Sequence, residues 1–121
     1  MKAGNQTTGI RLRVVLAPGI ALGPGKVDLL DGIRKAGSIS AAGRRMKMSY
    51  KRAWMLVDEM NGWFRDPLVT TEKGGAKGGG ARLTALGESV LAAYRRMEEQ
   101  ANGAVADDLD ALRLELGDVS S

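Results

Sequence analysis

Two short helical segments joined by a very short connection limit the folds open to this chain more than any other feature. The first segment runs from Ser38 or Ser40, either of which can cap it, to about Met46. The second begins after Ser49, another capping residue, and its apolar positions recur at helical spacing as far as Phe64. Because so few residues separate them, the two helices must meet at a tight turn.

Positive charge is concentrated on this helical pair. Five of the nine residues from 44 to 52 are Lys or Arg, and they lie at the end of the first helix and the start of the second. Residues 34–82 carry eleven Lys or Arg against four Asp or Glu, whereas the rest of the chain carries seven against ten. Such a local excess of cations indicates an acidic partner.

The composition excludes several kinds of site. The sequence has no Cys and no His, so it lacks disulfides, thiolate nucleophiles and the two commonest ligands of transition metals. The carboxylates of Asp107, Asp108 and Asp110 are close in sequence, but a helix directs them to different sides, which is typical of a solvated face. We therefore expect a protein that is not an enzyme and that has no metal site and no cofactor.

No part of the sequence predicts a secretory signal or a membrane span. The first eight residues are polar, and the apolar run from Val14 to Leu22 is short and interrupted by Pro18 and Gly19. We expect a cytoplasmic protein whose residues 1–9 are disordered.

The segments before the helical pair predict one strand and one helix, joined by a turn-rich connector at residues 20–25 in which a second short extended piece stays open. Alternating apolar and basic residues from Ile10 to Leu16 predict a strand with one buried face. Apolar positions at helical spacing from Lys26 to Ala36 predict a first helix, which Gly37 ends.

A hairpin and a long helix are predicted after the pair. Two short extended stretches, Leu68–Thr71 and Ala81–Thr84, flank the Gly-rich residues 72–80 and predict a β-hairpin. The last helix is predicted to run from Ala85 to about Asn102.

This order of elements predicts the fold class. We expect residues 10–102 to form a mainly α domain with a small β component, a winged helix-turn-helix with a β-hairpin wing and a long C-terminal helix. Residues 103–121 are predicted to form an acidic, amphipathic helical tail. Its apolar face has no place in so small a core, so we expect it to join two copies into a homodimer.

A winged helix-turn-helix places the second helix of its pair in the major groove of double-stranded DNA and its wing on the minor groove or the backbone. The end of the preceding helix then faces phosphates, which set affinity without reading sequence. Trp54 is predicted to pack in the core instead. The residues predicted to contact DNA are Ser38, Arg44, Arg45, Lys47, Ser49, Tyr50, Lys51, Arg52, Met55, Lys73, Lys77 and Arg82.

Other interpretations of these residues stay open. The basic face could belong to an architectural DNA-binding protein of low sequence specificity, or to a protein-interaction module that docks an acidic partner. The Gly-rich segment could be a disordered linker. A nucleotide phosphate loop is disfavoured, because no Ser or Thr follows its Lys at the required spacing.

Several motifs together resemble the amino-terminal DNA-binding half of the ModE-type molybdate-responsive transcription regulators, relatives of the LysR-type winged-helix proteins. The most specific combination is Ser-Tyr-Lys-x-Ala-Trp at 49–54 followed by the Gly- and Lys-rich wing. The matching stretches are residues 37–40, 49–54, 58–61, 73–81 and 83–87.

The resemblance implies a regulator of transcription that binds operator DNA as a dimer. Full-length members of that family also carry a pair of small β-barrel domains that bind molybdate or tungstate. Because nothing after Thr84 predicts strands, we expect those domains to be lacking. A separate effector-sensing protein stays open as a further partner.

Overall fold

Eight elements follow one another in the described part of the chain, in the predicted order, and the second short strand that the sequence left open is present. The computed structural model describes residues 7–75 and 78–118, and for residues 73–75 and 78–79 it describes the backbone alone. The elements are β1 Val14–Ala17, β2 Ile20–Leu22, α1 Pro24–Ala36, α2 Ile39–Arg45, α3 Tyr50–Trp63, β3 Val69–Gly75, β4 Gly78–Leu83 and α4 Ala85–Leu114. The fold is therefore mainly helical, with two small hairpins and a long C-terminal helix.

The ends of α1, α2 and α3 confirm the predicted capping. Gly37 ends α1 in the left-handed conformation, at φ 75°, and its N–H donates to the Ile33 carbonyl over 2.8 Å. Of the two candidate caps of α2, the structure selects Ser38, whose hydroxyl oxygen accepts from the Ala41 N–H over 2.9 Å. Ser49 caps α3 in the same way.

Small residues bring the three helices close together. An added Cβ at Gly32 of α1 would lie 3.2 Å from Ala42 Cβ of α2, and one at Gly43 of α2 would lie 3.1 Å from Ala53 Cβ of α3. The approach of α2 to both neighbours thus depends on the absence of larger side chains. The buried core consists of Leu22, Val27, Leu29, Leu30, Ile33, Ile39, Ala42, Ala53, Val57, Met60, Leu68, Val69, Ala81, Leu83, Leu91 and Tyr94.

The hairpin of β3 and β4 is fixed at its base by side-chain hydrogen bonds. Asn61 of α3 accepts from the backbone N–H groups of Leu68 and Val69 and donates to the Val69 carbonyl. The Thr84 hydroxyl donates to the Pro67 carbonyl over 2.8 Å and accepts from the Gly87 N–H. One side chain thus both caps α4 and closes the base of the hairpin. The hairpin base is therefore bonded both to α3, through Asn61, and to the start of α4, through Thr84.

The predicted strand at 10–16 is wrong in extent, and its predicted buried face is only partly buried. β1 begins only at Val14, pairs antiparallel with β2, and leaves Val15 62% and Leu16 50% exposed. Leu12, Val14 and its partner Leu22 pack against the core, so the cover ends at Val14 and the alternation did not show where it ends. The residues before β1 lie on α4 instead: the Ile10 N–H donates to Asn102 Oδ1 and the Tyr94 hydroxyl donates to the Leu12 carbonyl.

The long C-terminal helix does not end near Asn102 as predicted. α4 continues through Gly103 to Leu114, which gives it 30 residues and a length of about 45 Å. One Gly inside a helix costs only about 0.5–1 kcal/mol, too little to interrupt a long one. Its last turns expose Leu112 and Leu114. No helix in the described ranges combines the length and apolar content that crossing a membrane requires.

Ion pairs join α4 to α1. Arg95 donates to Asp28 over 3.1 Å, and its guanidinium also lies 3.5 Å from Asp31 and 2.9 Å from Glu98. Burial alone would raise the pKa of Asp31, but hydrogen bonds from Lys35 and Arg34 outweigh it and hold that pKa below its ordinary value. We call Asp28, Asp31, Arg95 and Glu98 the α1–α4 clamp.

Candidate nucleic-acid interface

The turn between α2 and α3 is held by backbone hydrogen bonds and by one unusual residue. The N–H groups of Lys47 and Met48 donate to the carbonyls of Arg44 and Gly43, each over 3.0 Å. Lys47 has a φ of 58°, in the left-handed region that side chains with a Cβ disfavour. This conformation sets the direction in which α3 leaves the turn, and the Lys47 side chain is exposed.

The start of α3 presents polar and cationic side chains to solvent. The Ser49 hydroxyl accepts from the Arg52 N–H over 3.1 Å, which fixes the first turn. Tyr50 is 60% exposed, and Lys51 and Arg52 are exposed as well. Met55, one turn further, is 59% exposed.

The opposite side of α3 is fully packed. Ala53, Val57 and Met60 are 0–1% exposed, so the apolar stripe of the helix faces the core. The spacing that buries these three residues directs Lys51 and Met55 outward. The predicted division of α3 into an inner and an outer face is therefore confirmed, and a role of its outer face in DNA binding stays a prediction.

One flank of α3 faces the start of α1. Lys26 Nζ lies 3.8 Å from Glu59 and 5.5 Å from the centre of the Trp63 ring. Lys26 and Glu59 line an open cavity of about 260 Å³ together with Arg52, Met55 and Leu56. Sequence reasoning missed Lys26 and Glu59, because they are far apart in the chain and neither belongs to the cationic stretch.

The other flank of α3 carries an aromatic pair. The rings of Tyr50 and Trp54 lie edge to face, with their centroids 6.1 Å apart and their planes at 72°. Trp54 packs against the core, as predicted, but only part of its side chain is covered. Its Nε1 atom is buried and has no hydrogen-bond acceptor among the residues that the structure describes. A buried donor left in this state is costly to a fold.

The end of α2 supplies two further cations. The Arg44 guanidinium donates to the Ser40 hydroxyl over 2.8 Å, and Arg45 is exposed. Neither forms an ion pair with any described residue. Ser38 lies at the other end of α2, where its hydroxyl oxygen accepts a hydrogen bond as the cap and its hydroxyl proton can still be donated to a ligand.

The hairpin contributes Arg82 to the set of predicted site residues. Arg82 lies opposite Thr70 and is exposed, whereas its neighbours Ala81 and Leu83 are buried. Lys73 lies on β3 within the part described by backbone alone, and Lys77 lies outside the described residues. Within residues 7–75 and 78–118, no group of three or more Asp or Glu residues is arranged to hold a metal ion.

Known proteins share part of this sequence. Over 80 residues the chain is 48% identical to the molybdenum-pterin-binding protein MopB of Rhodobacter capsulatus, which covers 66% of the chain and 30% of MopB. It is 38% identical over 102 residues to the molybdenum transport protein ModE of Azotobacter vinelandii, covering 84% of the chain and 36% of that protein.

A third relative is named for its action on DNA. The DNA-binding transcriptional dual regulator ModE of Escherichia coli K12 is 37% identical over 94 residues, or 75% of the chain and 36% of the regulator. No protein-family model matches the chain. The chain is therefore homologous to a portion of proteins of the ModE and Mop type, and it spans about a third of their length.

Proposed function

We propose that this chain is a sequence-specific, double-stranded DNA-binding regulator of transcription of the ModE type. In this proposal α1, α2, α3 and the β3–β4 hairpin form a LysR-like winged helix-turn-helix. α3 enters the major groove as the recognition helix, and the hairpin is the wing on the minor groove or the backbone.

The observation that carries the proposal is the exposed, cationic start of α3. Its capped first turn holds Tyr50, Lys51 and Arg52 outward on a helix whose opposite side is buried. A rigid helix with solvent-facing cations at its amino-terminal end meets the steric and electrostatic requirements of the major groove. The similarity to a protein named as a DNA-binding regulator supports the same proposal.

The proposed site divides into base-reading and phosphate-binding residues. Lys51 and Arg52 reach the acceptors of guanine, while Tyr50 and Met55 contact phosphate, sugar or a thymine methyl group. The cations at the end of α2 and in the turn bind phosphates, and so do the caps Ser38 and Ser49 through the first turns of their helices. The cations of the wing are Lys73, Lys77 and Arg82.

A symmetric homodimer completes the proposal. Outside α3, the large apolar residues that the described part of the chain exposes lie at β1 and at the end of α4, where a second copy would cover them. Two recognition helices about 34 Å apart would favour a palindromic operator. In this proposal the regulator acts in the cytoplasm.

A salt titration with labelled duplex tests the proposal. Fluorescence anisotropy should show binding whose affinity falls steeply with salt, and a duplex selected from a random pool should bind ~10³-fold or more tightly than unrelated duplex. Equal affinity for both duplexes would indicate an architectural protein. Failure to bind any duplex would leave the interaction module as the explanation of the basic face.

A further inference from the structure

The two flanks of α3 have different surroundings, and the difference bears on Trp54. Arg52 and Glu59 are seven residues apart and share one flank, which faces Lys26 of α1. Trp54 and Asn61 are also seven residues apart and share the other flank, where Asn61 is bonded to the base of the hairpin. Trp54 therefore lies on the flank of α3 that, two turns further along, is bonded to the base of the hairpin.

The indole N–H of Trp54 is the unexplained group on this flank. An indole nitrogen is a donor only, and buried donors normally have an acceptor. Here the N–H is buried without one among the described residues, and the Trp54 ring has the Tyr50 ring as its edge-to-face neighbour. Tyr50 is the first residue of α3 and is mostly exposed, so its side chain can change rotamer without disturbing the core.

The position of Trp54 favours an anionic acceptor over a base edge. A helix in the major groove directs its outermost residues at the bases and its flanks at the phosphates that border the groove. The first turn of α3 adds unpaired backbone N–H groups and the positive end of the helix dipole, both of which attract a phosphate. Lys51 contributes further positive charge nearby.

We propose that Trp54 is a phosphate-binding residue of the DNA interface and that Tyr50 is its movable cover. On duplex binding the Tyr50 ring turns aside, and the Trp54 indole N–H donates a hydrogen bond to a backbone phosphate oxygen. This inference rests on the proposed function and adds to it a contact from a residue on the flank of α3.

Replacement of Trp54 by Phe tests this contact, with Trp63→Phe as the matched control. Trp54→Phe keeps an aromatic ring against the core and removes only the indole edge with its N–H. Trp63 lies at the far end of α3, on the flank that faces Lys26, so the same chemical change there should leave DNA binding unaltered. The probe is the duplex that the wild-type protein selects from a random-sequence pool.

Four measurements are expected to give a pattern that packing alone does not give. Trp54→Phe should weaken duplex binding about tenfold. The dependence of affinity on salt should stay the same, because no charge is removed. The urea midpoint of unfolding should be unchanged or higher, since the variant no longer buries an unpaired donor. In Trp63→Phe, whose remaining tryptophan is Trp54, duplex should alter the indole fluorescence.

The outcomes separate this inference from the function on which it rests. If Trp54→Phe binds the selected duplex as tightly as Trp63→Phe does, the phosphate contact is refuted while the regulator proposal stands. A loss of stability in parallel with the loss of affinity would also refute it, because Trp54 would then be a packing residue. If wild-type protein binds no duplex, the proposed function fails, and the inference fails with it.

Discussion

The start of α3 and the α1–α4 clamp both carry several charges, but they use them in opposite ways. In the clamp each charge is matched within the chain: Arg95 contacts Asp28, Asp31 and Glu98, and Asp31 also contacts Arg34 and Lys35. At the start of α3, Lys51 and Arg52 form no ion pair with any residue of the described ranges.

This contrast indicates which charges serve the fold and which are available to a ligand. Matched charges that are partly buried hold two helices together, and removal of one leaves its partner desolvated without compensation. Exposed cations without partners contribute almost nothing to stability, so the fold does not explain their presence. Substitutions in the two regions should therefore change different measured quantities.

Arg52→Ala should have the largest effect, and on DNA binding alone. We expect it to remove about 1–3 kcal/mol of the binding free energy for the selected duplex and to flatten the preference over unrelated duplex. Its free energy of unfolding should stay within about 0.5 kcal/mol of wild type. Anisotropy and urea unfolding measure the two quantities.

Arg96→Ala is the matched control for that experiment. Arg96 is an exposed arginine on α4, outside the proposed interface. If both alanine variants lower affinity equally and without loss of sequence preference, Arg52 contributes only general positive charge and does not read a base.

Arg95→Met should have the second largest effect, and on stability alone. It leaves the buried Asp28 carboxylate without its charged partner. Because the guanidinium is about one-third exposed, we expect a loss of about 1–2 kcal/mol in the free energy of unfolding, below the cost of breaking a fully buried pair. Arg96→Met is the control, and duplex affinity of the folded protein should be unchanged. A large loss of affinity in a stable Arg95→Met protein would break the division between the two regions.

Asp31→Asn should alter the same region by a smaller amount that depends on pH. The folded-state pKa of Asp31 lies below its ordinary value of 3.8, so its ion pairs stabilise the fold above that pH and stop doing so as the pH falls through the folded-state pKa. At neutral pH we expect a loss of less than about 1 kcal/mol, since the pairs of Asp31 are partly exposed. When the free energies of unfolding of variant and wild type are plotted against pH, the two curves should converge below pH 3.8. Curves that stay equally separated down to low pH would show that the ion pairs do not cause the difference.

The sequence predicted local features of the fold better than its long-range contacts. The caps Ser38 and Ser49 and the stop at Gly37 are local signals, and the structure contains all three. The clamp was not predicted, because Asp28 and Arg95 lie 67 residues apart and only the packing of α4 on α1 brings them together. Lys26 was missed at the flank of α3 for the same reason.

Burial was the property that the sequence pattern predicted least well. Alternation in β1 implied a covered face, but whether a strand is covered depends on a second layer that local pattern does not encode. The unpaired donor of Trp54 was likewise invisible, since spacing assigns an aromatic side chain to a face without showing which of its atoms find partners. The grouping of cations on one exposed helix start was predictable, because it needs only helical periodicity and a cap.

Lys47→Gly should have the smallest effect. It should raise the free energy of unfolding and lower the affinity for duplex DNA. The left-handed φ of Lys47 is strained for a residue with a Cβ and relaxed for Gly. The gain is partly offset by the greater conformational entropy of Gly in the unfolded chain, so we expect about 0.5 kcal/mol of added stability. The same change removes one cation from the turn, so affinity for all duplexes should fall together and the slope of log affinity against log salt should decrease by about one unit. A variant that gains stability and keeps its salt slope would show that Lys47 belongs with the charges that serve neither the fold nor the ligand.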